Sequence, residues 1–268
     1  MRIITQCLNS SYYFILSMTK AKIAISLDEP LLRQIDSHVD GSIIRSRSQA
    51  IEYFLQKGLQ EQSIKTVVLL LKGEHQHTSL SSLHKRSLIL EQLHFFYSHG
   101  IKQAYIVTQH TKESVKLYSE VQQSILPAEI IEAPVKGNAQ ALLAVKDKLS
   151  NQDFIVMSGD VYNHFDLHQM EKKHMQQDKL ATMGLMSINE PSRFGNAILD
   201  GDLIIDFQEK PKHISSHVGN AGIYLLKPEV FALFDEHTTS LENHLFPKIA
   251  KIKQLVGFFT HGEYVHAA

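Results

Sequence analysis

From Lys65 to Asp160 the chain alternates short apolar runs with amphipathic ones: "KTVVLLL", "KRSLILEQLHFFYSHG", "QAYIVT", "KESVKLYSEVQQ", "EIIEA", "GNAQALLAVKDKL" and "DFIVMSGD". Short continuous apolar runs suit strands buried on both faces, and apolar residues three and four apart suit helices. Repeated strand–helix alternation then points to a mostly parallel sheet with helices on both sides. Ligands of such sheets bind beyond the carboxyl ends of the strands. The loops after Leu71, Ala133 and Ser158 are therefore where chemistry is expected, and each contains a glycine.

Upstream lies a smaller unit with a different pattern. In "KAKIAISL" the residues Ala21, Ile23, Ile25 and Leu27 fall on one face of a strand, with Lys20, Lys22, Ala24 and Ser26 on the other. Asp28 is placed to cap a helix in which Leu31, Ile35 and Val39 recur at spacing four, with Gly41 closing it at about Asp40. A second helix follows in "RSRSQAIEYFLQKGL", where Ser46 and Gln49 make an S-x-x-Q capping box. About forty residues with one strand cannot close a core alone, so a second chain is expected to complete it.

These residues resemble the ribbon-helix-helix family of DNA-binding dimers. The resemblance implies a homodimer or higher homo-oligomer whose paired strands enter the major groove of double-stranded DNA. It places Lys20, Lys22, Ala24 and Ser26 at the groove and the start of the second helix, Ser46 to Ser48, on a phosphate. The free N–H groups there, beside Arg45 and Arg47, agree with an anion site.

A second resemblance covers Lys65 to the end. "APVKGNAQALLAVKDKL", "FIVMSGDVYNHFDL", "RFGNAILDGDLIIDFQEKPK", "VGNAGIYLLKPEVF" and "SLENHLFPKIAK" occur in an order that resembles the sugar-1-phosphate nucleotidyltransferases. The fold implied is α/β, a Rossmann-like, mostly parallel mixed sheet of the nucleotide-diphospho-sugar transferase kind. The resemblance assigns Lys72 and Gly73 to the nucleotide phosphates, Gly137, Asn138 and Gln140 to the base, and Asp160 to Mg2+. It assigns Gly195, Glu209, Lys210, Asn220 and Gly222 to the sugar, with Lys210 also meeting its phosphate. Asp160 and Lys210 become the residues expected to carry catalysis.

Two parts of the family pattern are missing. After Gly73 the loop "EHQHTSLSSLHKRSL" has no second glycine, no G-T-R and no Pro-Lys pair, and Lys85 or Arg86 reads equally as a stand-in cation or as a solvated charge at a helix start. Near the end, "EYVHAA" puts His266 where the family's second metal carboxylate stands. His75 and His77, two of the chain's 16 histidines, lack a third ligand nearby and read as a solvated loop rather than a zinc site.

Bulk composition narrows the rest. A formal net charge of −1 argues against a surface that is basic throughout. A single cysteine, Cys7, leaves no intrachain disulfide. The apolar run Tyr12 to Met18 is too short to span a membrane. The domains expected are a disordered extension over 1–18, a ribbon-helix-helix unit over 19–60 and a nucleotidyltransferase-like domain over 64–268, in a cytoplasmic protein without a membrane partner. Because a DNA-reading unit precedes a depleted phosphate loop, the expected function is a transcriptional regulator whose larger domain senses a nucleotide, sugar phosphate or nucleotide sugar. The alternative is an active Mg2+-dependent sugar-1-phosphate nucleotidyltransferase dimerised by the small unit.

Overall fold

The computed structural model describes residues 24–41, 44–61, 64–134, 136–149 and 151–266. The chain divides into two compact units, Met1–Leu59 and Gln60–Ala268. In the first, α1 (Glu29–Asp36) begins where Asp28 accepts a hydrogen bond from the Leu31 N–H at 3.1 Å. It stops short of Asp40 because Ser37 donates to Arg33 and His38 to Ile35, tightening the last turn. The second helix, α2 (Arg47–Glu61), is capped by Ser46, whose Oγ accepts from the Gln49 N–H at 3.3 Å. Gln49 Oε1 reaches back to the Arg45 N–H at 2.8 Å.

The strand expected over 20–27 is not found in its described part. Ala24 and Ser26 are exposed and lie in no strand, while Lys20, Lys22 and the extension over 1–18 lie outside the described residues. Arg47, expected beside a phosphate, gives Nε and Nη2 to the Asp36 carboxylate, each at 2.7 Å. That fork-to-fork pairing uses two of the five guanidinium N–H groups and leaves the side chain half exposed.

The second unit runs β1 (Thr66–Leu70), α3 (Gln76–Ser79), β2 (Ser82–Leu83), β3 (Arg86–Ser87), α4 (Leu88–Ser98), β4 (Gln103–Thr108), α5 (Ser114–Val121), β5 (Ala128–Glu132) and α6 (Asn138–Leu143). It continues with β6 (Phe154–Ser158), β7 (Val161–His164), α7 (Leu167–Gln177), β8 (Ala181–Ser187), β9 (Gly195–Asp200), β10 (Leu203–Glu209) and β11 (Val218–Leu226). The last elements are α8 (Phe246–Lys251), β12 (Leu255–Phe259) and β13 (Glu263–His266). Nine strands form one sheet in the order β5-β4-β1-β6-β11-β8-β12-β10-β9. Its first four are parallel, and β11 then runs antiparallel between β6 and β8. The sheet is therefore mixed, as the larger resemblance implies.

Period-two alternation distributes each inner strand between two cores. Along β1, Val67 and Leu69 pack on one side with Ile89, Leu93, Phe96 and Ile106. Val68 faces the other side with Phe154, Phe207, Tyr224 and Phe246. Burying a side chain such as Phe96 or Phe154 from water contributes about 1.5–3 kcal/mol. These two layers hold the carboxyl ends of β1 and β6 side by side, with the Gly159 N–H donating to Leu70 at 2.9 Å. A two-stranded ribbon of β7 and β13 stands outside the main sheet, and its register sets His266 opposite Val161.

Candidate active site

Asp160 emerges from the turn that ends β6. Gly159 is required there because a Cβ would lie 2.8 Å from Leu71 Cβ. From α4, the buried Gln92 donates Nε2 to the carbonyls of Ser158 at 2.9 Å and Val161 at 2.5 Å, pinning the turn on both sides of Asp160. The Asp160 carboxylate opens on a cavity of about 790 Å3. Its Oδ2 lies 2.7 Å from His75 Nδ1 and 4.0 Å from His266 Nε2. His75 is thus not a solvated loop residue, since its ring is turned into the cavity with a side-chain exposure of 24%. His77 stays in its own loop, its ring against Glu74 O and Thr78 Oγ1. Tyr264 lines the same cavity, and burial, then the charge of Asp160, holds its phenol well above the usual range.

The other end of the cavity is built by β9, β10 and β11. A Cβ on Gly195 would come 2.4 Å from Phe207 Cζ and 2.6 Å from Glu209 Oε2, so the missing side chain makes room for that carboxylate. Burial, then the negative charge of Glu242, pushes Glu209 up; Lys210 and Lys72 oppose the shift. Lys210 follows in the left-handed region with φ 45°, a conformation that costs a non-glycine residue of order 1 kcal/mol. Its N–H donates to Phe194 at 3.1 Å, which fixes the bend. Asn220 donates Nδ2 to the Tyr224 hydroxyl at 2.7 Å and accepts from the Gly222 N–H at 2.9 Å. Gly222 holds φ 71° to close that turn.

Sequence reasoning singled out neither Glu242 nor Arg193 and Lys136, which also line the cavity. Glu242 accepts from Asn138 Nδ2 at 2.9 and 2.8 Å and from Ser240 Oγ at 3.0 Å. The signal available was an acid in "SLENHLF", between apolar residues that bury Leu241 and Leu245. Asn138, assigned to the base, spends its amide on this carboxylate and its Oδ1 on the Leu241 N–H at 2.8 Å. Gln140 accepts from the Lys136 N–H at 3.2 Å, bracing the loop before α6.

Lys72, Gly73, Gly137 and Asn138 line a second cavity of about 360 Å3 that shares this wall. Gly137 packs where a Cβ would meet Thr239 O at 2.0 Å. The Gly73 N–H is not free for a phosphate, since it donates to Gln109 Oε1 at 2.5 Å. Lys85 and Arg86 do not replace the lost cations. They line a separate cavity with the short β2–β3 hairpin, and Arg86 pairs with Glu91 at 3.6 Å. Lys72, Lys136, Arg193 and Lys210 are the cations of the main cavity.

Among the described residues no group of three or more His, Cys, Asp and Glu side chains is placed to hold a metal ion unaided. Asp160 offers one hard oxygen donor, because its Oδ1 has no hydrogen-bond partner among them. That donor set fits Mg2+, which commonly takes one or two carboxylates and completes its shell with substrate phosphates and water.

Residues 73–263 match the nucleotidyl transferase family. A probable mannose-1-phosphate guanylyltransferase 3 of Arabidopsis thaliana is 30% identical over 186 residues, 66% of this chain and 56% of that protein. The mannose-1-phosphate guanylyltransferase catalytic subunit beta of Drosophila pseudoobscura pseudoobscura is 30% identical over 176 residues, 63% of this chain and 47% of its own. The chain thus spans about half the length of these curated relatives. Among solved structures, a putative glucose-1-phosphate thymidylyltransferase from Bacillus anthracis superposes with a TM-score of 0.66 at 23% identity, covering 76% of this chain and 90% of that one. A UDP-glucose pyrophosphorylase complexed with UDP-glucose gives 0.64 at 17% identity, covering 76% and 94%. At such identities these two structures support the fold alone.

The expected DNA-reading regulator is corrected by these relatives, which are sugar-nucleotide-forming enzymes by name. Among the described residues no helix is long and apolar enough to cross a membrane.

Proposed function

The chain belongs to the nucleotidyl transferase family, and on that premise we propose that it joins a nucleoside triphosphate to a sugar 1-phosphate. In this reaction an oxygen of the sugar phosphate attacks the α-phosphorus of the triphosphate. A new P–O bond forms, the bond to the β-phosphate oxygen breaks, and pyrophosphate leaves with its electron pair.

The observation that carries this reading is the shared cavity, in which Asp160 and Lys210 face the same space as Glu209, Asn220 and Glu242. Lys210, beside Glu209, is the cation for the sugar phosphate, and Lys72 and Arg193 are cations for the triphosphate. Glu209 and Glu242 are acceptors for sugar hydroxyls. Transfer of this kind needs positioning and charge neutralisation more than covalent chemistry, and the side chains named here are the groups proposed to supply both. Asp160 would hold Mg2+, which when bound neutralises phosphate oxygens.

Pyrophosphate release from panels of triphosphates and sugar 1-phosphates tests the proposal. GTP with mannose 1-phosphate is the first pair, following the names of the relatives. Absence of product from every pair, with the protein folded, overturns it.

The small unit, read as ribbon-helix-helix, is proposed to dimerise the enzyme. Among its described residues Ile35 and Ala50 alone are buried apolar side chains, whereas Ile25, Leu31, Tyr53 and Leu55 are 43–54% exposed. Light scattering is expected to give a dimer that Leu31→Glu and Leu55→Glu together dissociate; a monomeric parent protein overturns this part.

A further inference from the structure

The turn after β1 carries neither a glycine-rich cradle nor its arginine, yet it is firmly built. Gln76 is fully buried and donates Nε2 to Thr108 Oγ1 at 3.0 Å and to the Gln109 carbonyl at 2.7 Å. Its Oε1 accepts from Thr111 Oγ1 at 2.5 Å. Three hydrogen bonds on one buried amide tie this turn to the end of β4.

The residue placed by that anchor is His75. Its Nδ1 lies 2.7 Å from Asp160 Oδ2. An ionised carboxylate only accepts, so Nδ1 carries the proton and donates it. From the opposite side the turn bearing Asp160 is held through Gln92. Backbone and carboxylate are thus fixed separately, the first by α4 and the second by the rebuilt loop.

We propose that His75 is a positioning residue for Asp160: by donating Nδ1–H to Oδ2 it fixes the rotation of the carboxylate and leaves Oδ1 for the divalent cation of the bound nucleotide. The cation's identity rests on the nucleotidyltransferase reading; the hydrogen bond does not. A carboxylate already held in one rotamer loses less freedom when an ion arrives, which is why partners of ligating groups matter to metal affinity.

The test uses the full chain, Mn2+ as the probe with inorganic pyrophosphate present, and the electron paramagnetic resonance signal of free Mn2+, read against the same Mn2+ and pyrophosphate without protein, as the readout. Asparagine places an amide N–H where histidine places Nδ1–H, so it separates the hydrogen bond from the ring. His75→Ala is expected to weaken Mn2+ binding about 10–100-fold, and His75→Asn to stay within about threefold of the parent protein, with melting temperatures alike. Unchanged Mn2+ binding in His75→Ala, or equal weakening in the Ala and Asn variants, overturns the positioning role. Failure of the parent to bind Mn2+ overturns it too. Asp160→Ala separates the two layers. If that variant binds Mn2+ as the parent does, the carboxylate is not the ligand and the site reading falls along with the positioning role. If Asp160→Ala abolishes binding while His75→Ala does not, the positioning role falls alone.

Discussion

Asn138 and Glu242 stand 104 residues apart in the chain and are joined by hydrogen bonds of 2.9 and 2.8 Å from one amide nitrogen to both carboxylate oxygens. Asn138→Ala removes those donors and leaves Glu242 with Ser240 and a long contact to the Tyr224 hydroxyl at 3.5 Å. A hydrogen bond to a charged group contributes about 1.5–3 kcal/mol. We therefore expect KM for the sugar 1-phosphate to rise roughly tenfold or more while KM for the triphosphate stays nearly constant. Initial rates with each substrate varied in turn will show it; an effect confined to the triphosphate would return Asn138 to the base.

Asp160→Asn keeps the shape of the side chain and removes its charge. Loss of one preorganised electrostatic group costs about 100–1,000-fold in rate. Pyrophosphate release should fall by at least that factor with the melting temperature nearly unchanged. A variant retaining more than a tenth of the parent rate would remove Asp160 from the chemistry.

Gly195→Ala places a methyl group 2.4 Å from Phe207 Cζ and 2.6 Å from Glu209 Oε2. Phe207 is buried and cannot move freely. Overpacking of this kind costs about 1–3 kcal/mol, so melting should drop by several degrees, together with activity. An unchanged melting curve would show that β9 and β10 spread apart at no cost.

Glu209 is held above the ordinary carboxylate range, first by burial and then by Glu242. A raised acid binds its proton more readily in the folded state, so its stabilising contribution is complete below the ordinary value of 4.5 and is lost as pH rises through the shifted one. Glu209→Gln should accordingly raise the melting temperature at neutral pH, lose that advantage below about pH 4.5, and weaken sugar-phosphate turnover. Thermal denaturation across pH 4 to 8 decides; a variant less stable at neutral pH contradicts the burial argument.

The parallel half of the sheet was legible because its strands are continuous apolar runs. "QAYIVT" coincides with Gln103–Thr108, and "DFIVMSGD" delivers Asp160 to the strand end where it was expected. The antiparallel half became visible through family resemblance alone, since strands such as Gly195–Asp200 and Leu203–Glu209 mix polar and apolar residues on a partly exposed edge. The hairpin of β2 and β3 gave no local sign. Its two-residue turn places His84 and Lys85 at φ 49° and 83°, where Asn-Gly is the usual signal. Side-chain roles were harder again. Asn138 and Glu242 meet across more than a hundred residues, and His75 reaches Asp160 across 85. Spacing along a chain carries no information about such pairs, so a histidine in a polar loop looked solvated and the partner of Asn138 went unseen.

The insertion of β12 between β8 and β10 bears on the order in which the molecule assembles. Leu255–Phe259 is among the last segments of the chain, yet it fills an interior slot of the sheet. Before it docks, the β9–β10 hairpin, with Glu209 and Lys210 at its end, is attached to the other strands through the single Gly219–Asn196 pairing. Contacts closing such long loops form late. Pulse-labelled hydrogen exchange during refolding should protect β1, β4 and β6 before β9 and β10. Simultaneous protection would contradict that order. The end of the cavity that carries Gly195, Glu209 and Lys210 is then the last to mature, and a chain arrested before that step holds Asp160 and Asn220 in place without the lysine proposed for the sugar phosphate.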